Sequence, residues 1–229
     1  MKQWNSPISE SFRIGAILAF AGGFFDAYTF IARGGVFANA QTGNMILLAI
    51  QLVQGNFLHA LYYLIPIFAF VCGIFLVEFI KRKFGLKNGV HWRQRILVIE
   101  ILVLIFVAFL PIGKGDIFAN VLISFICAMQ VQSFRTIHGL PYATTMCTGN
   151  LRSGTEQLVH LTFEKDGTAG KKALLYFSII FVFICGAAVG AMVTPLVGAK
   201  SVLFCCVLLA IAFFMLFFQQ KGKEISKEC

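Results

Sequence analysis

Residues 22–50 read GGFFDAYTFIARGGVFANAQTGNMILLAI, and residues 127–151 read CAMQVQSFRTIHGLPYATTMCTGNL. Each stretch leaves an apolar segment, passes a glycine-bearing loop and enters the tripeptide Thr-Gly-Asn. The loops are Arg33-Gly34-Gly35 and His138-Gly139-Leu140-Pro141; the tripeptides are Thr42-Gly43-Asn44 and Thr148-Gly149-Asn150, 106 positions apart. Two further apolar runs follow each tripeptide. A tripeptide can recur by chance, but one that recurs with the same neighbours on both sides marks a duplicated unit. The chain therefore divides into repeats of about 12–112 and 117–218 within one membrane domain.

Working outward from the tripeptides, six runs are long enough, or nearly so, to cross about 30 Å of hydrocarbon. They cover 12–32, 57–80, 96–112, 117–137, 173–197 and 201–218. Segment 36–54 is borderline, and 142–162 is too polar to face lipid. Across 229 residues, 59% are hydrophobic and 13% charged, with a mean hydropathy of +0.83. Soluble domains carry about 25% charged residues, so this apolar excess belongs in lipid. The expected class is an all-α polytopic membrane protein with six spanning helices and two short helices that start near the tripeptides. Thr and Asn oxygens accept from the free N–H groups of a first turn, and Gly permits a tight entry. Lys2 precedes the first run, Arg13 lies at its start, and Ala38-Asn39-Ala40 resembles a cleavage site. The run is long, contains Asp26 and is followed by Arg33, so it reads as a retained span.

The formal charge of +9 is no sign of nucleic-acid binding, because the basic residues sit at the ends of apolar runs. Three crossings per half would invert the second half relative to the first. If the tripeptide segments dip in and return, Lys2, Arg13, Lys81-Arg82-Lys83, Arg95, Lys165, Lys171, Lys172 and the basic tail at 221–227 share one face. Arg33, Lys114 and Lys200 then lie on the other. Full crossings would put most of the basic clusters on the wrong side. The expectation is an inverted repeat in an inner or plasma membrane, with both termini cytoplasmic.

In that arrangement the two short helices enter from opposite faces and meet near the midplane. Their N-termini would favour an anion or a carbonyl-bearing solute. The competing reading is that Thr-Gly-Asn only caps two kinked helices. Asp26 lies inside the first span, where an ionised carboxylate costs roughly 2.5–3.5 kcal/mol on insertion scales. It needs a partner or a cavity. Its repeat counterpart is Gln132, and Arg135, one turn on, is a candidate partner; a coupling residue and a buried structural pair are both open readings. The candidate substrate-binding or coupling set is Asp26, Thr42, Gly43, Asn44, Gln132, Arg135, Thr148, Gly149 and Asn150.

Other polar residues read more simply. Glu156 and His160 share a helix face but lack further metal ligands, so they are expected to be solvated or cavity-lining. Glu78, Glu100, His59 and His91 sit near span ends and read as interfacial. The seven cysteines read as buried small hydrophobes, and Gly186-x-x-x-Gly190 as a helix contact. No nucleophile motif, metal cage or phosphate loop is present, so an enzyme, a cofactor and ATP-driven transport by this chain alone are not expected. The expected function is a secondary transporter or channel for a small solute. The alternative is a non-transporting membrane partner or scaffold. The expected partners are the bilayer and an unknown small solute, with room for a homo-oligomer and no nucleic acid.

The motifs also carry a family resemblance. Gly23, Asp26, Ala27, Gly34, Gly35, Val36, Phe37, Thr42, Gly43 and Asn44, with Ala143, Thr144, Thr145, Thr148 and Gly149, resemble the pattern of the YoaK-like family of bacterial membrane proteins. The likeness covers essentially the whole chain. It implies a small bacterial integral membrane protein, and it implies no activity, because that family is a domain of unknown function.

Overall fold

The structure is a computed structural model that describes residues 8–84, 92–145 and 147–228. His91, read above as interfacial, falls outside them. Eight α-helices make up almost all of the described chain: α1 (Phe12–Ala32), α2 (Gln41–Val53), α3 (Phe57–Phe84), α4 (Trp92–Ala108), α5 (Asp116–Ser133), α6 (Cys147–Phe163), α7 (Gly167–Val197) and α8 (Leu203–Glu228). Four stretches are long and apolar enough to cross a membrane: Phe12–Ala32, Phe57–Lys83, Asp116–Ser133 and Gly167–Phe218. The last contains both α7 and α8, which are separated by a break at Gly198 (φ 67°). Large apolar side chains such as Phe68, Phe75, Phe181 and Phe214 are exposed along these helices. Such a surface suits lipid contact, and the chain is an all-α protein of membrane type.

Polar contacts sort the helices between two ends. At one end, the Lys81 ammonium, late in α3, donates to the Gln132 carbonyl late in α5 at 2.9 Å. There too, early in α4, Arg93 Nε donates to the Ser133 carbonyl at 2.9 Å and the guanidinium lies 3.8 Å from Glu10, just ahead of α1. At the other end, Arg33, just past α1, donates to carbonyls of Val107, Leu110 and Pro111 at 3.1–3.2 Å and to Asp116 at 3.2 Å. Tyr28 Oη donates to the Ala199 carbonyl at 3.1 Å between α7 and α8. Helices α1, α3, α4, α5, α7 and α8 therefore all run between the Lys81 end and the Arg33 end.

Glycines set the closest helix approaches. A Cβ on Gly23 would lie 2.0 Å from the Phe183 carbonyl oxygen, and one on Gly186 would lie 2.0 Å from that of Phe20. Gly190 faces Phe24, so α1 and α7 run parallel, nearly backbone to backbone, as small-residue contacts allow. The packing reading of Gly186 and Gly190 therefore holds. On the far side α3 runs parallel to α5, with Gly73 against the Phe125 carbonyl. The α3–α5 pair thus shares the parallel arrangement of the α1–α7 pair. Likewise α2 packs on α3 as α6 packs on α7.

Several boundaries differ from the sequence expectation, and two of them have a visible cause. The run expected to continue to 137 ends at Ser133. It gives way to a two-stranded hairpin, β1 (Thr136–Ile137) and β2 (Leu140–Pro141), paired antiparallel. His138 and Gly139 form its two-residue turn with φ of 48° and 77°, the doubly left-handed geometry of a type I′ turn. The fourth helix starts at Trp92 rather than 96 because Arg93 is anchored among Ser9, Glu10 and Ser133.

Candidate functional site

The site is built where two loops turn back into the bundle. From Arg33 the chain re-enters alongside α1: Asn39 N–H donates to Asp26 Oδ1 at 2.7 Å and Asn39 Nδ2 donates to the Gly22 carbonyl at 3.2 Å. Gly22 lies ten residues below the end of α1, a depth of about 15 Å at 1.5 Å per residue. Helix α2 starts there and climbs back towards the Arg33 end, where Tyr62 of α3 touches Gly34. From the Lys81 end the second loop descends in the same way. Its hairpin is held by the bond from His138 N–H to the Glu10 carbonyl (2.7 Å), and Ile137 and Tyr142 touch Gly15. Thr145 then reaches Gly22, where an added Cβ would lie 2.3 Å from its methyl group. Helix α6 returns from this depth antiparallel to α7, with Gly154 on Tyr176 and Gly170 on Leu161.

The two loops thus meet at Gly22 from opposite ends. At 13 residues α2 is about 20 Å long, and at 17 residues α6 is about 25 Å, both short of a full bilayer crossing. Both start at the expected tripeptides, at Gln41 and Cys147.

Asp26 caps α2 from another helix. Its Oδ1 accepts from Asn39 N–H and from Ala40 N–H (3.4 Å), at the α2 N-terminus, where Ala40 has no side chain able to cap. A carboxylate placed there meets the positive end of the α2 dipole. The expected pairing with Arg135 does not form: Arg135 is exposed beyond α5, and no ion pair joins it to Asp26. The reason is geometric, since α5 ends at Ser133 and Arg135 follows at the Lys81 end, away from the α2 start. Gln132 is also elsewhere; its Nε2 donates to Glu78, which in turn accepts from Lys81 at 3.0 Å.

The tripeptides divide in role. Asn44 is fully buried; its Oδ1 accepts from Phe37 N–H at 3.0 Å and its Nδ2 donates to the Phe37 carbonyl at 2.7 Å. Asn150 does the same to Ala143, at 3.2 and 2.6 Å. Phe37 and Ala143 are themselves 106 positions apart. Each Asn clamps both backbone groups of the residue seven before it and fixes how the loop enters its helix. Thr42, Thr148 and Gly149 are instead exposed on α2 and α6, because a step of two residues turns a helix by about 200° and puts Thr opposite Asn. Gly43 is half-buried against Phe37.

The polar atoms without partners lie elsewhere. Among the described residues Asn39 Oδ1, Thr144 Oγ1 and Thr145 Oγ1, all on the two converging loops, are buried without a hydrogen-bond partner. Such atoms call for water or a ligand. Cys127 of α5 lies beside Asn39, within electrostatic reach of both Asp26 and Glu100. Glu100 corrects a sequence expectation. It is not interfacial but 1% exposed in the middle of α4, with both carboxyl oxygens unpartnered. Glu156 is exposed, and His160 Nδ1 pairs with Glu164 Oε1 at 2.8 Å, in keeping with solvated residues. No group of three metal-ligating side chains occurs among the described residues.

Asn39 and Thr145 were not read as site residues in the sequence although they too stand 106 apart, so the repeat spacing was the available signal. A family model described as "Protein of unknown function (DUF1275)" matches residues 14–215. No curated protein and no solved structure matches the chain.

Proposed function

We propose that this chain, which belongs to the DUF1275 family of proteins of unknown function, is a secondary transporter or channel for a small solute in a bacterial inner membrane. The observation that carries the reading is the meeting of two re-entrant loops at Gly22, with buried, unpartnered oxygens on both. Irregular backbone at that depth is tolerated where protein covers it or water fills a cavity, and in transporters it forms the binding site. Six crossings by α1, α3, α4, α5, α7 and α8, with halves related by inversion, are supported by the matched helix pairs and by the identical Asn clamps. The basic clusters at 81–83 and 165–172 then face the cytoplasm with both termini.

Asp26, Asn39, Thr144 and Thr145 are the solute-binding groups in this reading. Asp26 already fills the α2 N-terminus, which removes half of the case for an anion. A carboxylate and three oxygens suit a solute that brings hydrogen-bond donors. Arg135, Gln132 and Thr148 take no part. No chemical step is assigned to the chain.

A non-transporting scaffold is the second reading, and one observation favours it: Asn44 and Asn150 spend their polar groups on their own loops. A Thr145→Cys variant on a cysteine-free background discriminates. A wet central site makes this thiol react with small charged aqueous reagents in intact vesicles. Labelling only by membrane-soluble maleimides would reject the site and leave the scaffold.

A further inference from the structure

A buried polar seam runs along one face of α5. Asn120, Ser124, Cys127 and Gln130 follow one another at spacings of four, three and three, which places them on one side of the helix. All four are at most 1% exposed. The seam starts near Asp116, paired with Arg33 at one end, and finishes near Ser133, held by Arg93 at the other. Asn120 Nδ2 donates to the Arg33 carbonyl at 2.7 Å and Gln130 Nε2 to that of Leu18 at 3.4 Å. The remaining capacity is unused: Asn120 Oδ1, Ser124 Oγ and Gln130 Oε1 have no partner. Glu100 joins the seam from α4, with both oxygens unpartnered and Cys127 within its electrostatic reach.

This concentration of unsatisfied oxygens along one line is unlike ordinary packing. Native interiors leave few such atoms, and each is destabilising unless water or a ligand completes it. A file of waters would satisfy Asn120, Ser124, Glu100 and Gln130 together. An ionised Glu100 without a cation would be far more costly than a protonated one. The groups facing it from neighbouring helices supply no cation. Cys127 stands on α5, with Asp26 beyond it, Cys205 and Cys206 are on α8, and Lys200 in the α7–α8 turn is exposed.

We propose that Glu100 is a proton-carrying residue, loaded and unloaded through a hydrated seam along α5. This deepens the transporter reading and rests on it: proton movement would accompany the solute bound near Asp26. The carboxyl group releases its proton to seam water and regains one from the same file, so charge and atoms balance with hydronium as the only co-reactant.

The test is infrared difference spectroscopy of the full chain in lipid vesicles, exchanging H2O for D2O and stepping the pH. The expected result is a protonated-carboxyl band at neutral pH that shifts promptly in D2O and fades as the pH is raised. It is absent when Glu100→Gln is made on an Asp26→Asn background, which removes the buried Asp26 carboxyl as well. Ser124→Val, which interrupts the seam away from the carboxyl, should keep the band and slow its exchange. A band that neither exchanges nor titrates, or that survives Glu100→Gln on the Asp26→Asn background, overturns the proposal. So does exchange that Ser124→Val leaves unchanged. If Glu100 is silent while Thr145→Cys reacts with aqueous reagents, the proton role alone falls. If Glu100 titrates while Thr145→Cys stays dry, the solute site alone falls.

Discussion

Replacing Asn44 or Asn150 by Ala removes the two clamp hydrogen bonds at once and strands a backbone N–H and a carbonyl, those of Phe37 or of Ala143; Asn44→Ala also loses the bond that Asn44 Nδ2 donates to Gln41 Oε1 at 2.9 Å. A buried group left without its partner costs about 1–3 kcal/mol. Phe37 and Ala143 are half-buried, so the lower part of that range applies to each group. Summed over the two groups, each variant should lose about 2–4 kcal/mol, a fall of roughly 30- to 700-fold in the folding equilibrium. The two losses should be alike because the two clamps have the same geometry at equivalent positions. Gly149→Ala is the control, since an added methyl there meets nothing within 4 Å. Reversible unfolding in mixed detergent and dodecyl sulfate micelles, followed by far-ultraviolet circular dichroism, measures all three. If both Ala variants unfold at the wild-type midpoint, the clamps do not hold the two loops. If Gly149→Ala costs as much as Asn150→Ala, the position matters and the two bonds do not.

Two further outcomes follow from the packing. Gly186→Ala places a methyl 2.0 Å from the Phe20 carbonyl, against an ordinary contact of 3.4 Å or more. It should cost about 1–3 kcal/mol as α1 and α7 are pushed apart, and unfolding in the same micelles at the wild-type midpoint would contradict the close approach. Arg33 is fully buried and its guanidinium reaches three carbonyls, Asp116 and Tyr28 Oη. Arg33→Ala strands that network and should lose about 3–5 kcal/mol, with Asp116→Asn milder because it retains an acceptor; thermal unfolding of the purified variants gives the order.

The sequence alone determined what depends on local chemistry. Composition put the chain in lipid, and run lengths located α1 and α3 within a few residues. The paired Thr-Gly-Asn motifs located the starts of α2 and α6, because a helix start is a local event of capping and tight turns. Only the tertiary structure decided what each polar group does. Lipid and protein interior are both apolar, so hydropathy could not say which face of α4 is covered, and Glu100 was misplaced at an interface. Asp26 called for a partner, but a carboxylate accepts as well from backbone N–H as from Arg. Which of them reaches it depends on where α5 ends and where the first loop folds back, and that is set by contacts between residues far apart in the chain. The two Asn side chains make the same point. Spacing marked them as special, and the fold turned them inward to their own loops while Asn39, Thr144 and Thr145 were left buried with oxygens to spare.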